Sequence, residues 1–94
     1  MPSLFLRVKK KYFDQIKSGE KTEEYRLANS YWNGRIIGKH FEKVVIVHGF
    51  PSNKGYNGDN YMEFPWKGYE IRTIQHDEFG KEPVNVFAIK LERL

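Results

Sequence analysis

Eight residues in the middle of the chain, KVVIVHGF from Lys43 to Phe50, are apolar on both faces at their centre. A run of this kind reads as a central strand, because a strand with one wet face alternates apolar with polar residues. The chain that must surround it has only 94 residues. That length supports one core, burying about 60–65% of the unfolded surface, so a single domain over the whole chain is expected. An aromatic content of 16% argues against disorder.

The remaining elements follow from spacing and punctuation. SLFLRV (Ser3–Val8) reads as a first strand with Leu4, Leu6 and Val8 on one side. In KKKYFDQIKSG, Tyr12, Phe13 and Ile16 have helical spacing, and Gly19 is a natural stop. Lys17 suits the last turn of that helix, whereas Lys9, Lys10 and Lys11 oppose the helix dipole at its start. KTEEYRL is a strand whose alternation places Thr22, Glu24 and Arg26 on one face and Glu23, Tyr25 and Leu27 on the other. SYWNGRIIG (Ser30–Gly38) is a short helix capped by Ser30, with Tyr31, Trp32, Ile36 and Ile37 as a plug on a barrel end. Pro51–Asn60 is a loop, Tyr61–Gln75 a long strand or bent pair broken near Pro65 and Gly68, HDEFGKEP a second loop, and Val84–Leu94 the last strand. The order, strand then helix then strand, a short helix, then three or four strands, predicts an α+β fold: a small, mostly antiparallel β-barrel with one or two flanking helices.

Several chemistries are excluded. There are no cysteines, hence no disulfides, thiolate zinc sites or cysteine nucleophiles. The start MPSLFLRVKKK places its short apolar run before its basic residues, the reverse of a signal peptide, and nothing approaches a membrane span of about 18 apolar residues. A cytoplasmic protein with no membrane partner is expected. His40, His48 and His76 lack metal-ligand spacing, and HGFPSNKGYNG matches neither glycine-rich phosphate motif, so neither a metal nor a cofactor is expected. A monomer is the default.

Charge is unevenly placed. Residues 1–40 carry nine Lys or Arg against four Asp or Glu, while residues 41–94 carry seven against eight. The whole excess of positive charge therefore lies in the first half, which suits an anionic partner such as RNA or a nucleotide. That half contains GEKTEEYR (Gly19–Arg26). If the face carrying Glu24 and Arg26 points outward, the two form a weak surface ion pair. If it points into a barrel mouth, they form a partly desolvated pair able to read a base, the guanidinium donating to carbonyls or phosphates and the carboxylate accepting from amino groups. Lys21 either reaches into a cleft or stays in solvent, and with Thr22 it forms a possible activated hydroxyl. Aromatic residues are interleaved with cations, as at Tyr25–Arg26 and Tyr31–Trp32 near Arg35, a pattern used to stack single-stranded bases. The candidate nucleic-acid-binding residues are Lys9, Lys10, Lys11, Lys21, Glu24, Tyr25, Arg26 and Arg35. Phe13, Phe41, Phe64, Trp66 and Phe87 are assigned to the core, and Tyr25, Tyr31 and Tyr56 are the aromatic residues expected to be more exposed.

Gly19, Lys21, Glu24 and Arg26 complete the pattern GxKxxExR, which resembles the signature of the ASCH domain family within the PUA-like superfamily. The preceding YFDQIKSG and the later MEFPWKGYEIRTIQHDEFG and VNVFAIKL are similar to segments of small members of that family, so the resemblance spans nearly the whole chain. It implies a five- or six-stranded barrel flanked by helices, a cleft lined by the motif, and binding of RNA or a nucleotide-like ligand in RNA metabolism. One branch hydrolyses the acetyl amide of N4-acetylcytidine, and another relative is described as a ribonuclease. By analogy with the first, Thr22 is a nucleophile assisted by Lys21, with Glu24 in the site and a further glutamate, Glu63 or Glu70, completing it. The chain departs from that branch in its EEYR continuation and in its shorter, different later strands.

Overall fold

The computed structural model describes residues 2–49, 55–56 and 58–92. The expected strand end at Phe50, part of the expected Pro51–Asn60 loop and the last two residues of the expected Val84–Leu94 strand lie outside them. Among the described residues, six strands and two helices follow one another: β1 (Ser3–Arg7), α1 (Lys10–Ser18), β2 (Glu23–Leu27), α2 (Ser30–Ile36), β3 (Lys43–Val47), β4 (Tyr61–Pro65), β5 (Tyr69–Ile74) and β6 (Val84–Lys90). A single 3-10 turn, Asp77–Phe79, lies between β5 and β6. The protein is thus a small α+β fold.

The strands form two three-stranded sheets, in the orders β1-β3-β4 and β2-β6-β5. Three of the four ladders among the described residues are antiparallel; β1 runs parallel to β3. The central strand of each sheet is the one with a continuous apolar run, Val44–Val47 in β3 and Val86–Ile89 in β6, all buried. Both faces of those strands must find cover, and only a central position provides neighbours on both edges as well.

The register assembles the core in rows. Leu4, Val44 and Phe64 lie side by side across the first sheet, and Leu6, Ile46 and Met62 form the next row. Phe87 and Ile89 enter the same cluster from the second sheet, Phe13 and Ile16 from α1, and Ile36 from α2. Phe41 and Trp66, expected in the core, pack against it partly buried. Their rings meet edge to face at 5.0 Å, an arrangement favoured by the ring quadrupoles.

Several expectations are corrected at element ends. The segment Tyr61–Gln75 is the bent pair and not one long strand: β4 and β5 are separate strands and belong to different sheets. Pro65 ends β4, and Gly68, at φ 85°, makes the turn. The cap of α2 is Asn29 rather than Ser30: the Asn29 side chain accepts a hydrogen bond from the Trp32 backbone N–H at 3.0 Å, with Asn29 itself in extended geometry. Of the expected plug, Ile36 is buried and Trp32 packs against the core, whereas Tyr31 and Ile37 are exposed. The last strand stops at Lys90, and Val8 lies just beyond β1 while remaining buried.

On the second sheet Arg72 of β5 reaches past β6 to form a two-pronged ion pair with Glu23 of β2, and it also bonds Glu70 at 2.8 Å. The Arg72 hydrogen bonds hold the Glu23 carboxyl below its ordinary value of 4.5 against the opposing effect of burial. The Arg72 contact likewise lowers Glu70. A carboxyl lowered on folding binds protons more weakly in the folded than in the unfolded state. Its stabilisation is therefore present above the ordinary value of 4.5 and lost as pH falls below it. The urea midpoint is expected to fall between pH 7 and pH 3, and Arg72→Met should flatten part of that fall. An unchanged pH profile in the variant would mean that the ion pair does not operate in solution.

Candidate functional site

The helix stop prepares the site. Gly19 takes φ 86°, a left-handed conformation that glycine adopts without the strain other residues incur there. Its N–H bonds the Ile16 carbonyl at 3.1 Å, and the Lys21 N–H bonds the Gln15 carbonyl at 3.0 Å. The chain thus turns tightly against the end of α1. Lys21 Nζ is brought back over the Tyr12 ring, 5.6 Å from its centroid, and over the Tyr25 ring at 4.5 Å.

β2 then delivers the polar pair. Glu24 sits opposite Ile89 and Arg26 opposite Phe87, so both start from the core-facing side of the second sheet. Glu24 is only 7% exposed and is the one buried charged residue among those described. Its Oε2 accepts from Arg26 at 2.8 Å, and its Oε1 lies 3.5 Å from Lys21 Nζ. Arg26 also donates to the backbone carbonyl of Arg7 at 2.9 Å, linking β2 to the end of β1. Its guanidinium lies 5.3 Å from the Trp32 ring centroid. Arg26 Nε is buried with no hydrogen-bond acceptor. A buried donor without a partner is costly.

These residues border a concave site of about 220 Å³. Its charged lining comprises four cations, Arg7, Lys9, Lys21 and Arg26, and two carboxylates, Glu24 and Glu78. Tyr12, Tyr25, His76 and Phe79 supply aromatic walls. Tyr25 belongs to the opposite face of β2 by alternation, but β2 is the edge of its sheet, so side chains from both faces can border one cavity.

The 3-10 turn closes the other side. The Glu78 carboxylate takes a hydrogen bond from Lys9 Nζ at 2.8 Å and from the Tyr12 hydroxyl at 3.2 Å. The Glu78 N–H donates to His76 Nδ1 at 3.1 Å, so a neutral His76 carries its proton on Nε2. Lys9 holds the Glu78 carboxyl below its ordinary value. Burial, reinforced by Glu78, raises the Tyr12 phenol, and burial with Glu23 raises that of Tyr25. Both hydroxyls remain donors at neutral pH.

Not every expected site residue comes together here. Lys21, Glu24, Tyr25, Arg26 and Lys9 line the cavity. Lys10 is paired with Asp14 at 2.8 Å, Lys11 lies over the Tyr12 ring at 5.0 Å, and Arg35 covers the Tyr31 ring at 4.5 Å; none of the three lines it. Thr22 precedes β2, is exposed, and borders two neighbouring concavities that it shares with Lys21. Alternation groups it with Glu24 and Arg26, and its carbonyl continues the β2–β6 pairing by accepting from the Leu91 N–H at 2.9 Å, but its side chain is exposed and does not line the cavity. Glu63 is bonded to Lys43 and Tyr61, and Glu70 to Arg72 and Lys90; neither borders the cavity.

Arg7, Tyr12, His76, Glu78 and Phe79 were not singled out from sequence. Tyr12 read as part of a core-facing helix stripe and His76 as an ordinary histidine. No local signal in HDEF says which side of the fold that loop crosses. No protein-family model, curated protein or solved structure matches the chain.

Proposed function

We propose that this protein is an RNA- or nucleotide-binding module of the PUA-like kind, its two sheets wrapping one core as a small barrel and its cleft lined by Lys21, Glu24 and Arg26. The observation that carries this reading is Glu24, a buried carboxylate held against Arg26 inside a concavity whose cations outnumber its carboxylates four to two. A buried ion pair is weak evidence for stability, since an apolar pair often serves as well. Placed at a cavity, it offers both halves of a base-reading set, a guanidinium donor and a carboxylate acceptor. The flanking rings suit a planar ligand. The volume of about 220 Å³ lies below the range of about 300–1,000 Å³ usual for drug-sized ligands, which fits a single base or nucleoside better than a longer stretch of chain.

Cleavage is less well supported than binding. A Thr22 nucleophile would have to share a reacting carbonyl with the groups of the cavity, yet Thr22 stands outside its lining. The geometry favours holding a ligand over cutting it.

The test is fluorescence anisotropy of labelled single-stranded RNA across a salt series. Binding at low salt should weaken with a log–log slope of about −0.7 per phosphate contacted. Failure to bind RNA or any nucleoside at low salt would overturn the reading.

A further inference from the structure

We propose that Lys9 and Tyr12 form a subsite for a phosphate monoester, and that the Glu78 carboxylate occupies this subsite in the free protein as an internal stand-in for the ligand. The proposal rests on the nucleotide-binding reading above and extends it to the class of nucleotide.

Glu78 Oε1 gathers two donors from outside its own segment, Lys9 Nζ at 2.8 Å and the Tyr12 hydroxyl at 3.2 Å. All three residues line the same cavity as Arg26 and Lys21. An oxyanion is therefore already held at one end of the cavity, by donors that belong to β1's exit and to α1. A phosphate oxygen is an acceptor of the same kind and would take the same two donors.

The cavity is graded from end to end. Glu24 is buried, whereas the Lys9 side chain is 67% exposed. A nucleotide would direct its base toward Glu24 and Arg26 and its phosphate toward Lys9, at the rim.

Displacing Glu78 is cheap. Exposed ion pairs of this type shift an equilibrium by at most about fivefold. The exchange is also selective. A phosphodiester carries one negative charge, as Glu78 does, so replacing one by the other gains little. A monoester carries about −1.5 to −2 at pH 7, and it replaces the carboxylate with a net gain in charge. Glu78 thus sets a threshold that favours terminal phosphates and mononucleotides over internal phosphodiesters. The turn that carries Glu78 also carries His76 and Phe79, which line the cavity, so release of the carboxylate frees the aromatic wall beside it.

The experiment is calorimetric titration of nucleosides, their 5′-monophosphates and inorganic phosphate into the wild type, Glu78→Gln and Asp77→Asn at physiological salt. Asp77 is the control: it lies on the same turn and removes the same charge, but it does not line the cavity. Thermal melting of each variant confirms folding. The expected result is that Glu78→Gln tightens monophosphate binding by about fivefold, leaves nucleoside binding unchanged, and exceeds the effect of Asp77→Asn. Equal tightening by both variants would reduce the effect to general electrostatics and overturn the proposal, as would no tightening at all. If nucleosides bind but monophosphates gain nothing from Glu78→Gln, the subsite falls and the nucleotide-binding reading stands. If no probe binds any of the three proteins, the subsite falls, and the RNA anisotropy series at low salt decides whether the binding reading falls with it.

Discussion

Replacing Glu24 with alanine is expected to lower the melting temperature by more than about 10 °C. The carboxylate is 7% exposed and serves two cations, Arg26 at 2.8 Å and Lys21 at 3.5 Å. Its removal leaves both without their anion at a largely buried position. Breaking one side of a buried pair costs about 3–5 kcal/mol, and a domain of this size loses about 4–8 °C per kcal/mol. Arg26 and Lys21 retain 20% and 14% of their side-chain surface in solvent, which places the cost toward the lower end. The double variant Glu24→Leu with Arg26→Met should recover part of the loss, because replacing both partners of the 2.8 Å pair leaves only Lys21 without its anion. Thermal melts of the three proteins decide the matter. A Glu24→Ala protein melting within about 2 °C of wild type would show the pair to be effectively solvated, since exposed pairs contribute little. Ligand binding has to be read at a temperature where the variant is folded; otherwise lost structure imitates lost recognition.

Phe87→Ala is expected to be as damaging for a different reason. Phe87 is fully buried on the central strand β6, directly opposite Arg26, with the Tyr69 ring edge-on at 5.0 Å. Large-to-small replacement of a buried phenylalanine costs about 3–5 kcal/mol in transfer energy and residual cavity. The urea midpoint should fall accordingly with little change in slope. Phe5→Ala supplies the contrast, since Phe5 is half exposed on β1: surface changes of that kind stay within about 0.5 kcal/mol. Similar losses in the two variants would contradict the core described above.

The two predictions differ in how far sequence alone anticipates them. The burial of Phe87 was legible because VNVFAIKL shows the pattern of a core strand. The central position of β3 was legible for the same reason, in KVVIV. Gly19 was legible as a helix stop because few residues accept its φ. The burial of Glu24 was not legible from periodicity. Alternation pairs Glu24 with Arg26 but is silent on whether their shared face looks inward or outward, and that depends on β6 lying beside β2. Glu78 was further out of reach. Its place beside Lys9 depends on the path of the Gln75–Pro83 loop across the fold, a tertiary fact with no local signature. Thr22 continues the β2–β6 pairing through its carbonyl, and alternation is silent on where along the strand the cavity stops. The split of Tyr61–Gln75 between two sheets was hinted at by Pro65 and Gly68, which mark a break without saying where the chain goes next.

The pairing of distant strands bears on how the molecule comes into being. β1 has its ladder partner in β3, and β2 has its partner in β6. During synthesis, therefore, β1 must wait for two helices and another strand to be made, and β2 must wait for nearly everything else. Loop closure of this kind has to be met before the contacts that reward it can form. Arg26 and Glu24 ride on β2, and Glu78 arrives with the loop just ahead of β6. The cavity is then among the last parts of the molecule to take shape, and a nascent chain interrupted before β6 would have all the motif residues and no site.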